Sequence, residues 1–170
     1  MNDSMPLNSQ DGSIRVLMVC LGNICRSPTA HGVFQQRVQE SKLQERILVD
    51  SAGTGSWHIG ESPDRRTAKA ASARGYQLDH LVARQVESQD FLDFDYLLAM
   101  DRDNLAALRD QRPPDANCRI ELFLDYSNHA ENEVPDPYYS GVDGFELVLD
   151  MVEEASERLL EALIQRHLHD

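Results

Sequence analysis

The sequence predicts an α/β fold, a single domain in three αβα layers around a four-stranded parallel sheet. Two observations point there. Short apolar runs alternate with stretches of helical periodicity, and the runs are apolar throughout instead of every second residue, as in strands buried on both faces. Parallel neighbours need helical crossovers, and the segments between the runs are long enough to supply them.

Ile14–Cys20 is the first strand, rich in Val, Leu and Met. A helix follows, with Ser27 as N-cap and Pro28 as first helical residue, and with Ala30, Val33, Phe34 and Val38 as its apolar stripe to about Ser41. Ile47–Asp50 is the second strand, and residues 51–63 form a long loop beside it. Asp64 caps a helix running through Arg74 and stopped by Gly75. Ser88–Leu92 gives a helical turn before the third strand, Tyr96–Met100. Asp101 is read as the cap of a helix over about Arg102–Asp110, Pro113-Pro114 breaks the chain, and Arg119–Phe123 is the fourth strand. Gly141–Phe145 leads into a last helix to about His167. Residues 1–13 are expected to be a disordered lead-in, residues 14–167 the domain, and 168–170 a fraying tail.

The lead-in has neither a basic segment nor an apolar core, so the expected compartment is the cytoplasm. No apolar run is long enough for a membrane span. Three cysteines are an odd number for a disulfide framework and fit reduced thiols. A net charge of −13 makes nucleic acid a poor partner, since no basic stripe could neutralise a row of phosphates. A small buried anion site is still compatible with it, because a few N–H dipoles and one arginine at short range outweigh distant, screened carboxylates.

Such a site is written at the end of the first strand. In Cys20-Leu21-Gly22-Asn23-Ile24-Cys25-Arg26, five residues separate a thiol from a guanidinium. That spacing lets a loop turn its N–H groups onto one anion while Arg26 closes over it bidentately. The reactive form of a thiol is the thiolate, which this positive setting favours. Gly22 serves the backbone, Asn23 suits a left-handed turn position, and Cys118 reads as a buried filler. His31, His58 and His129 have no partner at metal-ligand spacing, so no metal is expected.

Val19–Pro28, together with Val134-Pro-Asp-Pro-Tyr-Tyr139, resembles the low-molecular-weight protein tyrosine phosphatase family. Asp50-Ser-Ala-Gly53, Trp57, Ala83-Arg-Gln85, Phe94–Leu98 and Met100-Asp101 look like that family's landmarks in order, over roughly residues 14–167. The resemblance implies a flavodoxin-like fold and cofactor-free hydrolysis of phosphotyrosine. Cys20 would be the nucleophile that becomes phosphocysteine, Arg26 and the N–H groups of Leu21 to Arg26 the phosphate cradle, and Asp136 the general acid and then base. Trp57 and Tyr138 would wall the cleft for a flat ring, with Tyr139 exposed. Ser27 would donate to the sulfur, and Asn23 would pin the loop through Ser51.

Cys25 has two readings, loop packing or, as the resemblance suggests, a redox thiol that traps oxidised Cys20 as a disulfide. The implied partners are phosphotyrosine proteins, a tyrosine kinase being one candidate, with phosphate and other oxyanions in the loop. Where many relatives carry an anchoring His before Val82-Ala-Arg-Gln85, this chain has Leu81, with His80 one residue earlier. Of the rival readings, an arsenate reductase needs a resolving Cys pair after the third strand, absent from Met100–Leu108. An arginine phosphatase of this type carries Thr where Ile24 stands, and a binding module without turnover would lack Cys20, Arg26 or Asp136.

Overall fold

The computed structural model describes residues 6–168. Its elements are β1 (Ile14–Cys20), α1 (Arg26–Glu40), β2 (Ile47–Gly53), α2 (Arg65–Ala73), α3 (Asp90–Asp93), β3 (Tyr96–Ala99), α4 (Arg102–Gln111), β4 (Arg119–Leu122), a 3-10 turn over Phe123–Tyr126, and α5 (Val142–His167). The strands are all parallel in the order β2-β1-β3-β4. Strand order therefore reverses between β1 and β3, and ligands of such sheets gather beyond the carboxyl ends of the strands at that point. Cys20 is the last residue of β1 and stands there, level with Gly53 of β2.

Alternation along β1 builds the three layers. Ile14, Val16, Met18 and Cys20 face the side covered by α1 and α5, among Val33, Phe34, Val152 and Leu159. Leu17 and Val19 face the other side, among Phe91, Leu97 and Leu108. Each such fully buried side chain contributes about 1.5–3 kcal/mol. The α5 stripe Val148, Val152, Ala155, Leu159 and Leu163 is the longest apolar seam and fixes α1, whose first turn carries the anion loop.

Several boundaries differ from the sequence reading. Helix α1 begins at Arg26, with Cys25 in the cap position and no side-chain cap, so Ser27 lies inside the first turn instead of capping it. Pro28 remains compatible because N–H groups of a first turn have no intrahelical acceptor. Strand β2 runs three residues beyond Asp50, because Ser51, Ala52 and Gly53 pair with Met18, Val19 and Cys20.

The described part of the lead-in is tied down where no order was expected. Asn8 donates from its backbone N to Asp95 Oδ1 at 2.6 Å and from its side chain to Phe94 O at 2.9 Å. The expectation for residues 1–5 lies outside the described residues. At the other end, His167 belongs to α5 and bonds Tyr96 Oη at 2.7 Å, and Leu168 packs on the core. The expectation for residues 169–170 lies outside the described residues.

Candidate active site

The loop from Cys20 to Arg26 is held from outside by its carbonyls. Thr54 N–H donates to Cys20 O at 2.9 Å, Gly55 N–H to Leu21 O at 2.9 Å, and Asp64 N–H to Ile24 O at 2.8 Å. With those carbonyls committed outward, the peptide planes turn their N–H groups inward, which is what an anion needs. Gly53 makes this approach feasible: a Cβ there would sit 2.7 Å from Leu21 O and 3.2 Å from Asn23 N.

Asn23 holds the left-handed φ of 57° that its short polar side chain tolerates. Its Oδ1 accepts from Arg84 N–H at 3.0 Å, so its Nδ2 faces Ser27 Oγ, at 2.8 Å. The Ser27 hydroxyl proton is thereby free for Cys20 Sγ, 3.0 Å away, and Asn23 N–H also points at the sulfur from 3.3 Å. The expected pin from Asn23 to Ser51 is absent, because Ser51 Oγ is engaged by His31 Nδ1 at 2.9 Å. His31, which the sequence gives no partner at metal-ligand spacing, is buried on the helical face four residues after Ser27. Burial pushes its imidazole down to about 4, against the opposing pull of Asp50. Leu81 packs against the core and His80 is exposed, with no hydrogen bond from His80 to the loop among the described residues.

Arg26 is only 4% exposed. Its Nη1 donates to Asp101 Oδ2 at 2.6 Å and to Val134 O at 3.1 Å, and its Nη2 lies 3.7 Å from Asp136 Oδ2. Burial disfavours the charge, but Cys20, Asp101 and Asp136 more than offset it and hold the guanidinium firmly protonated. Asp101, read first as a helix cap, does both jobs: Oδ1 accepts from Asn104 N–H at 2.8 Å while Oδ2 orients the arginine.

A cleft of about 270 Å³ opens over the loop, lined by Cys20, Arg26, Trp57, His58, Asp136 and Tyr138. Leu21, Gly22, Ile24, Cys25 and Tyr139 complete it. Trp57, 73% exposed, stands at the rim, and Tyr138 bears on Tyr139 edge to face at 4.9 Å. Asp136 faces solvent on one side and accepts from Tyr138 N–H at 3.1 Å. The cleft thus brings together Cys20, Arg26, Trp57, Asp136 and Tyr138 from three separate stretches of chain, while Asn23, Ser27 and Ser51 lie behind it.

Sequence reasoning passed over Gly53, the Arg84 N–H, the arginine-binding half of Asp101, and His58, which bonds Glu61 at the cleft edge. Gly53 had a signal, a glycine at a strand end level with Cys20. The other contacts depend on loop paths and had none.

A thiol supplied with two donors at the carboxyl end of a parallel sheet, with a buried arginine and a carboxylate over it, defines the cysteine-dependent phosphomonoesterases. The model of the family described as low molecular weight phosphotyrosine protein phosphatase matches residues 15–168. The low molecular weight protein-tyrosine-phosphatase YfkJ of Bacillus subtilis is 42% identical over 151 residues, 88% of this chain and 96% of that protein. A protein tyrosine phosphatase of Entamoeba histolytica, crystallised with Hepes in its active site, superposes with a TM-score of 0.86 at 43% identity, covering 90% of this chain and 98% of that one. A Drosophila arginine phosphatase superposes with a TM-score of 0.82 at 36% identity, over 88% of this chain and 97% of that one. The chain belongs to the low molecular weight phosphotyrosine protein phosphatase family and is a phosphatase.

Proposed function

We infer that this phosphatase hydrolyses phosphotyrosine in proteins through the three groups that converge on the cleft. Cys20 Sγ attacks phosphorus and forms phosphocysteine while the phenolate leaves on the opposite side. Arg26 and the loop N–H groups bind the equatorial oxygens, where charge redistributes in a loose transition state. Asp136 protonates the departing phenolate and then, as carboxylate, takes a proton from the water that hydrolyses the thiophosphate. The observation that carries the reading is the position of Asp136 beside Arg26 at the mouth, above a sulfur that already accepts two hydrogen bonds.

The aromatic rim of Trp57 and Tyr138 favours a flat ring, and the depth of the loop beneath it disfavours phosphoserine. A tyrosine kinase is among the phosphoproteins this cleft would accept, and free phosphate its product ligand. The cytoplasm is the setting proposed for it, since Cys20 must stay reduced to act and all three cysteines are free.

The likeness to an arginine phosphatase makes phosphoarginine the competing substrate; the apolar Ile24 lining the cleft favours the aryl ester. Release of phosphate from p-nitrophenyl phosphate and from a phosphotyrosine peptide, without added metal and in the presence of chelator, tests the reading. Turnover of a phosphoarginine peptide in preference to the phosphotyrosine peptide would overturn the substrate assignment. Asp136→Ala should lower kcat by about 10²–10⁴-fold, most for phenols that leave poorly.

A further inference from the structure

Beside the catalytic cleft lies a second depression of about 380 Å³, lined by Arg66, Lys69, Ala70 and Ala73 of α2 and by Gly141, Val142 and Phe145 at the start of α5. Its lining is largely apolar, and Val142 is 76% exposed within it. It is continuous with the cleft in three ways. The loop between the 3-10 turn and α5 runs past the cleft at Asp136, Tyr138 and Tyr139, then past the groove at Ser140, Gly141 and the first residue of α5, Val142. Phe145, which floors the groove, shares an apolar cluster with Ile24 and Cys25 of the anion loop. Between the two depressions stands Arg66, its guanidinium 5.3 Å from the Tyr138 ring centroid and 4.9 Å from that of Phe145. Arg66 is fixed there by a two-point ion pair with Asp64, at 3.1 and 3.0 Å.

We propose that this groove is a substrate subsite, which takes an apolar side chain about three residues from the phosphotyrosine of a target protein, with an acidic residue beside it. The proposal rests on the phosphotyrosine reading of the cleft. With one guanidinium within about 5 Å of both rings, an extended chain rising about 3.3 Å per residue passes from cleft to groove in about three residues. The apolar lining of Ala70, Ala73, Val142 and Phe145 suits a Leu-sized side chain. Charge decides the neighbour. Glu146 at the far edge is taken up by Arg74 at 2.6 Å, whereas Lys69 is exposed and makes no ion pair among the described residues. On a protein of net charge −13, the exposed Arg65 and Lys69, one turn apart on α2, give this edge local positive charge, the guanidinium of Arg66 being taken up by Asp64.

The test compares three phosphotyrosine peptides, each with one glutamate: leucine three residues before the phosphotyrosine, leucine three residues after it, and no leucine. One leucine peptide should exceed the leucine-free one at least fivefold in kcat/KM, carried by KM. Ala73→Trp, which fills the groove from an exposed helix position, should erase that preference while turnover of p-nitrophenyl phosphate is unchanged. Val142→Lys should do the same by a different route, and Lys69→Glu should raise KM for the three glutamate-bearing peptides while leaving that for p-nitrophenyl phosphate unchanged. Equal turnover of the three peptides, or a preference that survives both groove variants, overturns the proposal. A dimer seen by sedimentation that Ala73→Trp dissociates overturns it too, by giving the groove to a second copy of the chain. Turnover of p-nitrophenyl phosphate by the wild type without turnover of any of the three phosphotyrosine peptides would instead sink the phosphotyrosine reading, so the two failures are distinguishable.

Discussion

Asp101 holds Arg26 with one carboxylate oxygen and the first turn of α4 with the other, at 2.6 and 2.8 Å. The charge of this buried arginine is therefore balanced by a residue that is itself anchored to a helix. Asp101→Asn keeps a competent cap but removes the negative charge, whereas Asp101→Ala removes both. The Asn variant should lose at least tenfold in kcat/KM with a small change in urea midpoint. The Ala variant should add about 1 kcal/mol of lost stability from the cap. Equal stability of the two variants would show that the cap contributes nothing.

Gly53 should tolerate no side chain. The Cβ of Gly53→Ala would lie 2.7 Å from a backbone oxygen of the anion loop, which cannot swing aside as a side chain can. The loop must shift or β2 must part from β1. Either outcome costs about 1–3 kcal/mol and misplaces the N–H groups of the Cys20–Arg26 loop, the phosphate cradle proposed above. Vanadate affinity and thermal midpoint should fall together; a fall in midpoint with vanadate affinity intact would place the strain elsewhere.

The layers and most elements were legible in the sequence because buried parallel strands are written as unbroken apolar runs, and because Asp64 and Asp101 mark helix starts. Cys20, Arg26 and the Asp136 segment were legible as motifs. The start of α1 was misread for a local reason: Ser27 has the residue type of a cap, yet its hydroxyl is committed to Cys20 and Asn23. The partner of Ser51 was misread for a distant one, since His31 reaches it from α1 and nothing in the spacing announces a contact across two elements. Asp101 exposes the same gap, for a cap signal hides whatever the second oxygen does.

Cys25 should behave as a neutral thiol in the resting enzyme. Burial pushes it up to about 12, Thr67 only partly opposing this, so at neutral pH it presents almost no thiolate. Iodoacetamide at pH 7 should label Cys20 and leave Cys25 untouched, as read by peptide mass. The redox reading adds a second expectation: after brief peroxide treatment, a Cys20–Cys25 disulfide should be recovered that dithiothreitol reverses. Stepwise oxidation of Cys20 to its irreversible acids without that disulfide would leave Cys25 as packing alone.

His31 makes stability depend on acid. Its folded value of about 4 lies below an unfolded value near 6.5, so the unfolded chain binds the extra proton first. Stability contributed by neutral His31 is whole above about pH 6.5, falls as the pH drops through the window from 6.5 to 4, and levels off below it. The full difference is of order 3 kcal/mol. Asp50, which faces His31, and Asp90 are both ion-paired with Arg84, so the histidine's share is isolated by comparison with a variant. His31→Gln keeps a donor toward Ser51 Oγ without the titration. Urea midpoints of wild type and variant should differ in slope between pH 6.5 and 4.5, wild type falling more steeply, and run parallel above pH 7. Parallel curves throughout would mean that water or a shift of α1 relieves the buried charge.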